Sequence, residues 1–506
     1  MYIDTVPNRN SRPAVLLRKA WREGKKIRKR TLANLSDWPE HQIESFRRLL
    51  RGERLVPADE LFRIERSRPH GHVEAIVGAI RKLGLDTVME SKRCRERDLV
   101  VAMIAERLIH PCSKLASTRH WNDTTLAEEL SVSDADVDEL YDALDWLLAR
   151  QKRIEKKLAG RHLSEGVLVL YDVTSSFYEG RTCPLARFGR DRDGKKGLPI
   201  IVYGVMTNQQ GCPVAVEVYP GDTGDPTTVP DQVEKLRNRF GLSRVVLVGD
   251  RGMLTQARIE ELEKYPGIGW ISALRSRSLR ALMDEGCLQL SLFDRQNLAE
   301  IRSPEFPGER LVACFNPQLA DQRRREASIR REAEMDGIYV VRTSEPKAQL
   351  SPEDAVRGYK SLARVERAFR CLKGVDLRVR PIFHRTEDHV RAHVFLCVLA
   401  YYVEWHMRQA WAELLFQDEE LAEGRGKRDP VAPAEASASA RRKKAERQTA
   451  QGLPVHSFET LLQHLAQRSR HTCRLTSEPI GATFDQLTEQ TPLQARAMEL
   501  LGLLPV

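Results

Sequence analysis

Along this chain the spacing of apolar positions changes character several times, and each change marks a different kind of element. In LLRKAWREGKKIRKRTLANLS, near the N-terminus, apolar and polar residues alternate on both sides of Glu23-Gly24-Lys25. Two alternating runs about a glycine-containing turn predict a β-hairpin. From residue 71 the period lengthens. HVEAIVGAIRKLGLDTVM, RERDLVVAMIAERLIHP and VSDADVDELYDALDWLLARQKRIEKKL repeat apolar residues at three- and four-residue steps, as amphipathic helices do. Ser131 or Ser133 would cap the last of these. At residue 165 strands take over. GVLVLYDVTSSFYEG opens on a buried-strand run, and PIIVYGVMTN and PVAVEVYP, joined by Gln209-Gln210-Gly211, form a second hairpin. A helix over VPDQVEKLRNRF then leads to the β-branched run SRVVLVGDRGML. This order predicts an α/β layer built on a mixed sheet.

Beyond it, LQLSLF, ERLVACFN and GIYVVRTS read as strands, with a charged helix, PQLADQRRREASIRREAEM, between the last two. Long helices follow from about Ser351 to Cys371 and from about Glu387 to Leu415. The chain therefore divides into a basic hairpin region (1–70), a helical region suited to DNA binding (71–160), and an α/β domain (161–268 and 351–420). An inserted strand-containing sub-domain occupies 269–350. The Ala/Ser/Pro-rich, charge-studded stretch 421–452 reads as a flexible linker before a C-terminal region, 453–506.

Composition narrows the partner. The net charge is +10, and much of the excess sits in the first 70 residues, where Arg22, Lys25, Lys26, Arg28, Lys29 and Arg30 would project from the hairpin. That favours a polyanion, although a solvated edge ribbon would look the same. The nine cysteines are scattered with no C-x-x-C pair, which argues against a disulfide framework or a zinc knuckle. The stretch VRAHVFLCVLAYYVEWHM is interrupted by Arg391, His393, Glu404 and His406, so it predicts a buried helix and no membrane span. The N-terminal segment has no apolar signal core.

Two aspartates stand out. Asp172 lies inside an apolar strand, where a carboxylate is costly without a cation or donor. Asp250 ends the strand VVLVG, and ligands in open α/β sheets collect at the carboxyl ends of strands. Taken alone, Asp172 is better explained by a buried ion pair and Asp250 by a cap on the next turn. In DAVRGYKSLARVERAFRCLKG, read as one helix, Tyr359, Glu366 and Lys373 recur at seven-residue steps, and Arg370 is four beyond Glu366. One stripe would then carry a phenol, a carboxylate and two cations. Three acids around a sheet and a helix suit two hard divalent cations and in-line phosphoryl displacement. His389 and His393 share a helical face and His384 precedes them, but no H-E-x-x-H pattern supports zinc there. Gly24, Gly180 and Gly252 lack the spacing of a phosphate loop.

These blocks resemble the DDE transposases of bacterial insertion sequences, in the IS4 superfamily and closest to the IS1634 group. YDVTSSFYEG resembles the first-aspartate block, and VVLVGDRGM the second. GRDRDGKKGLPIIVYGVMTNQQGCPVAVEVYPGDTGDPTTV resembles the stretch between them, and YKSLARVERAFRCLKG with LRVRPIFHRTEDHVRAHVFLCVLAYYVEW the glutamate block. The resemblance implies an RNase H-like catalytic domain with Asp172, Asp250 and Glu366 as catalytic residues and metal ligands for two Mg²⁺ ions, or Mn²⁺ in their place. It implies hydrolysis at the element's ends, then attack of the freed 3′-hydroxyl on target DNA. The family's Y-x₂-R-x₃-E-x₆-K signature is met by Tyr359, Glu366 and Lys373, but Leu362 stands at the arginine position, leaving Arg370 as the better-placed cation. Tyr359, Arg370 and Lys373 are thus the expected DNA contacts. The implied partners are double-stranded terminal repeats and target DNA, bound by a homodimer on paired ends at the nucleoid in the bacterial cytoplasm. The competing readings are a catalytically silent DNA-binding derivative and a non-transposing RNase H-like nuclease.

Overall fold

The computed structural model describes residues 1–8, 12–53, 61–294, 296–318, 337–421, 424, 428–433, 435–476 and 482–503. They fall into two compact units, Met1–Ser67 with Arg470–Leu487, and Arg68–Ser469 with Thr488–Val506. In the smaller unit, β1 (Tyr2–Val6), β2 (Ala14–Glu23) and β3 (Lys26–Asn34) form an antiparallel sheet. All of β3 is exposed, so its cations stand in solvent. Helix α1 (Glu40–Leu50) follows, and β4 (Phe62–Pro69) belongs to a second sheet with Ser469–Leu475 and Thr483–Leu487 from far along the chain.

The larger unit begins with helices, among them α2 (Gly71–Lys82), α3 (Arg95–Ile109) and α4 (Val137–His162). The cap of α4 is Asp136, not Ser131 or Ser133. Its carboxylate accepts from the Glu139 N–H, and the Glu139 side chain accepts from the Asp136 N–H. That reciprocal pair satisfies two otherwise orphaned donors.

An eight-stranded mixed sheet makes this an α/β protein. It comprises β5 (Leu168–Phe177), β6 (Ile200–Asn208), β7 (Pro213–Pro220), β8 (Val245–Val248), β9 (Ile268–Ala273), β10 (Leu298–Ile301), β11 (Arg310–Phe315) and β12 (Ile338–Thr343). The order is β10-β11-β12-β9-β8-β5-β6-β7. Strands β5, β6 and β7 run antiparallel in succession, β8 is parallel to β5, and β9 is parallel to β8.

Residues 269–350, read above as an inserted sub-domain, send their strands into this same sheet. β12 pairs antiparallel with β9, and β11 and β10 continue outward. Extending an existing sheet occupies ladder groups that a bare edge would leave open. LQLSLF is not a strand: Leu290–Phe293 is a turn of 3₁₀-helix, and Leu288 and Phe293 both join the core beside it. The charged run PQLADQRRREASIRREAEM falls, over 319–335, outside the described residues.

Helix α5 (Pro352–Lys360), α6 (Ala363–Lys373) and α7 (Glu387–Ala410) complete the layer around the sheet. Apolar residues cover nearly all sides of α7, which is why it is buried, packed on β7, α3, α4 and α6. Among the described residues no helix is long and apolar enough to cross a membrane. The stretch read as a linker contains α8 (Ala438–Glu446), capped by Ser437. Lys443 is buried there, donating to the Ala412 carbonyl at 3.0 Å and to Glu419 at 2.5 Å. These polar anchors supply what the sparse apolar content does not.

Candidate active site

Strand register brings Asp172 and Asp250 together. In the parallel pair β5–β8, Leu170 lies opposite Val248. Two residues further along each segment come Asp172 and Asp250, at equivalent positions toward the carboxyl end of the pair. Asp172 Oδ1 accepts from the Val173 N–H at 2.8 Å. Asp250 Oδ1 accepts from the N–H groups of Gly252 at 3.0 Å and Met253 at 2.7 Å. Its second oxygen has no hydrogen-bond partner among the described residues, so the carboxylate closes its turn and still offers a ligand atom.

Glu366 arrives by a different route from the one its spacing predicts. The continuous helix expected over 351–371 is broken at Ser361 and Leu362 into α5 and α6. The Ser361 hydroxyl donates to the Gly358 carbonyl, and the Leu362 N–H bonds back three residues to Tyr359. A serine hydroxyl that takes a backbone acceptor competes with the helical ladder. Gly358 sits hard against the sheet, where a Cβ would meet Ile271 Cδ1 at 3.0 Å and Leu168 Cδ1 at 3.2 Å. Tyr359 and Glu366 therefore lie on separate helices, and the stripe survives only as Glu366, Arg370 and Lys373 on α6. Leu362 is buried at the break, where packing favours an apolar side chain over the expected arginine.

The acids still share one electrostatic neighbourhood. Burial pushes the Asp172 carboxyl up to about 7, against the Val173 N–H and Arg192, with the charges of Asp250 and Glu366 adding to the rise. Burial raises the Tyr359 phenol too, and Asp250, Glu366 and Asp172 all act in the same direction against Arg251. Glu366 is exposed, and its carboxylate has no hydrogen-bond or ion-pair partner among the described residues. Among the described residues, the ligand oxygens of the three acids do not all lie within 4.8 Å of one another. Unscreened anions separate, and two cations roughly 3.5–4 Å apart span a wider set of oxygens than one ion does. A raised carboxyl, an unbonded Asp250 oxygen and an unpartnered glutamate form a donor set that suits hard divalent cations.

The two cations of α6 differ. Arg370 is exposed, on a groove it shares with Arg367, Gly374, Asp376 and Arg408. Lys373 is not a free cation: its ammonium lies 2.9 Å from Asp193 Oδ1, which also receives Arg380 at 2.5 Å. The Asp193 side chain is only 1% exposed, and its other oxygen accepts from the Phe177 N–H at the end of β5. Burial lowers the Lys373 ammonium, and Asp193 opposes that. Sequence reading assigned no role to Asp193, Arg380 or Arg192. The charge density of GRDRDGKKG was the signal for the first and last; Arg380 carried none.

The three histidines are engaged by packing. His389 stacks on Tyr141 and lies 3.3 Å from Asp145, and His393 is buried with Nε2 at 3.0 Å from the Val379 carbonyl. His384 lies edge-on to Tyr141, and burial lowers it to about 3.

Comparison with known proteins matches residues 181–403 to the family "Transposase DDE domain" and residues 3–58 to "IS1634 family transposase, N-terminal domain". The first match includes Asp250 and Glu366 and begins just beyond Asp172. No curated protein matches. Among solved structures, a piggyBac transposase synaptic complex with hairpin DNA is similar at 11% identity over 78% of each chain, with a TM-score of 0.37, too loose an overlap to establish a common fold. Domains of the DDE class use divalent metal ions, in keeping with the acid cluster just described. By its two matching families, the chain belongs to the DDE transposases of the IS1634 group.

Proposed function

We propose that the chain cuts DNA at the ends of its insertion sequence and joins the freed 3′-hydroxyl to target DNA, with two Mg²⁺ ions, or Mn²⁺ in their place, held by Asp172, Asp250 and Glu366. The observation that carries this reading is the parallel register that sets Asp172 beside Asp250, within the field of Glu366. Three antiparallel strands followed by two parallel to the first are the arrangement an RNase H-like catalytic domain requires.

Divalent ions bound there would activate the attacking oxygen and stabilise the leaving one. The rest falls to the protein. Asp172, its carboxyl raised to about 7 by burial, would hold a cation as the carboxylate, giving up its proton. The Gly252 and Met253 N–H groups fix the Asp250 carboxylate. Tyr359 keeps its phenolic proton and can donate to a phosphate oxygen beside the acids. Arg370, exposed on α6, contacts the DNA backbone. Lys373 serves DNA binding indirectly, by holding Asp193 and the segment that carries it. The substrates are terminal repeats and target DNA, engaged by a homodimer on paired ends within the bacterial nucleoid.

A supercoiled-plasmid nicking assay with Mg²⁺, wild type against Asp172→Ala, tests the site. Equal nicking by both proteins overturns it. A wild type that binds the ends but never nicks favours the silent derivative. Nicking without transfer of a pre-cut end favours the plain nuclease.

A further inference from the structure

We propose that His162, Cys212 and His406 form a second metal site, for a thiophilic divalent ion such as Zn²⁺, chemically distinct from the carboxylate site. The three residues come from the last turn of α4, the start of the β7 hairpin arm and the late part of α7. Each offers a ligand atom within 4.8 Å of the others. Cys212 Sγ lies 3.8 Å from His406 Nε2. A tetrahedral zinc with bonds of about 2.3 Å to sulfur and about 2.0 Å to nitrogen sets those atoms about 3.5 Å apart, so this pair needs little movement. Cys212 is fully buried, while both histidines are partly exposed, which leaves an entry path on the imidazole side.

The donor set selects the ion. One thiolate with two imidazoles suits zinc, whereas three carboxylates suit Mg²⁺. The fourth position is open to water. His162 Nε2 lies 2.9 Å from the Tyr402 hydroxyl, the kind of partner that orients a ligating imidazole when the other ring nitrogen faces the ion. Arg161 works against a cation here, and burial raises the Cys212 thiol, so the thiolate that would offset Arg161 forms only as the ion binds.

The position gives the site a purpose. The turn before Cys212 touches α6: Arg364 donates to the Gln209 carbonyl, and a Cβ on Gly211, whose φ is +88°, would stand 2.9 Å from Arg364 Cβ. An ion on Cys212 would therefore brace the turn that supports α6 two residues before Glu366. The ion acts here as a structural tie between α4, the hairpin and α7.

Metal content of the full-length protein, purified without chelator, tests this, together with the absorption spectrum after cobalt exchange. The expected result is about one zinc per chain and a thiolate-to-cobalt charge-transfer band in the near ultraviolet. Cys212→Ser and His406→Gln should lose both, while Asp172→Asn keeps both. Because a buried serine could disturb folding, His162→Gln, at a partly exposed position, is the second probe. The proposal is overturned if the wild type stays empty in micromolar zinc or the band survives Cys212→Ser. It is also overturned if His162→Gln keeps its full zinc with unchanged circular dichroism.

Discussion

Two charged clusters each join β5 to α6, and they are built on opposite terms. Around Asp172, Asp250 and Glu366 the anions have no cation among their hydrogen-bond and ion-pair partners in the described residues, and burial raises Asp172 against the more distant charge of Arg192. Around Asp193 the anion is nearly inaccessible and takes both Lys373 and Arg380. A compensated cluster is complete as it stands and holds the α6 end to the loop beyond β5. An uncompensated one costs stability unless a partner is supplied from outside. That contrast separates structure from chemistry more sharply than the identity of the residues does.

The largest effect should come from the uncompensated cluster. Asp172→Ala is expected to lower Mg²⁺-dependent nicking by roughly ten-thousandfold, about 5.5 kcal/mol of transition-state stabilisation, with end binding in a gel-shift assay little changed. A residual activity within tenfold of wild type would erase the distinction. Next, Asp193→Ala should destabilise the protein by about 3 kcal/mol in denaturant unfolding, since it strands two partly buried cations. If Lys373→Met restores part of that loss, the pair is structural; if it adds to the loss, the compensated reading fails.

The opposite sign is expected for Asp172→Asn in metal-free protein. The folded carboxyl is raised from 3.8 to about 7, so the native state holds the proton longer than the unfolded chain. Stability therefore falls as pH rises from about 4 to about 7 and levels off above, and Asp172→Asn should remove this slope and gain up to about 4 kcal/mol at pH 8. Thermal unfolding at a series of pH values reads it out, and parallel curves for the two proteins would contradict the raised carboxyl. Mg²⁺ should bind more tightly with rising pH over the same window, gaining up to about tenfold per unit, as calorimetry in buffers of different ionisation enthalpy can measure. The smallest effect belongs to Arg370→Ala. End affinity should drop several-fold, and the slope of log K against log salt should shrink by about 0.9, the mark of one lost phosphate contact.

Much of this was legible in the residues. The two hairpins, the strand carrying Asp172 and the buried helix over VRAHVFLCVLAYYVEWHM follow from period and flanking turns. The break at Ser361 was not, because no proline marks it, Gly358 lies a turn earlier, and its cause is a serine hydroxyl competing for a carbonyl. The cap at Asp136 was missed for a milder reason, since two serines nearby were equally good candidates by type alone.

The sequence by itself determined which chemistry is available: three acids in the right order along the chain, a basic hairpin and the family blocks. Periodicity and local propensity carry that information because they depend on near neighbours. Only the tertiary structure decided which charges meet. It set Asp172 beside Asp250 through register, parted Tyr359 from the Glu366 helix, gave Lys373 to Asp193, and gathered His162, Cys212 and His406 from distant segments. Those pairings depend on strand order and helix packing between residues tens to hundreds of positions apart, which no local pattern encodes.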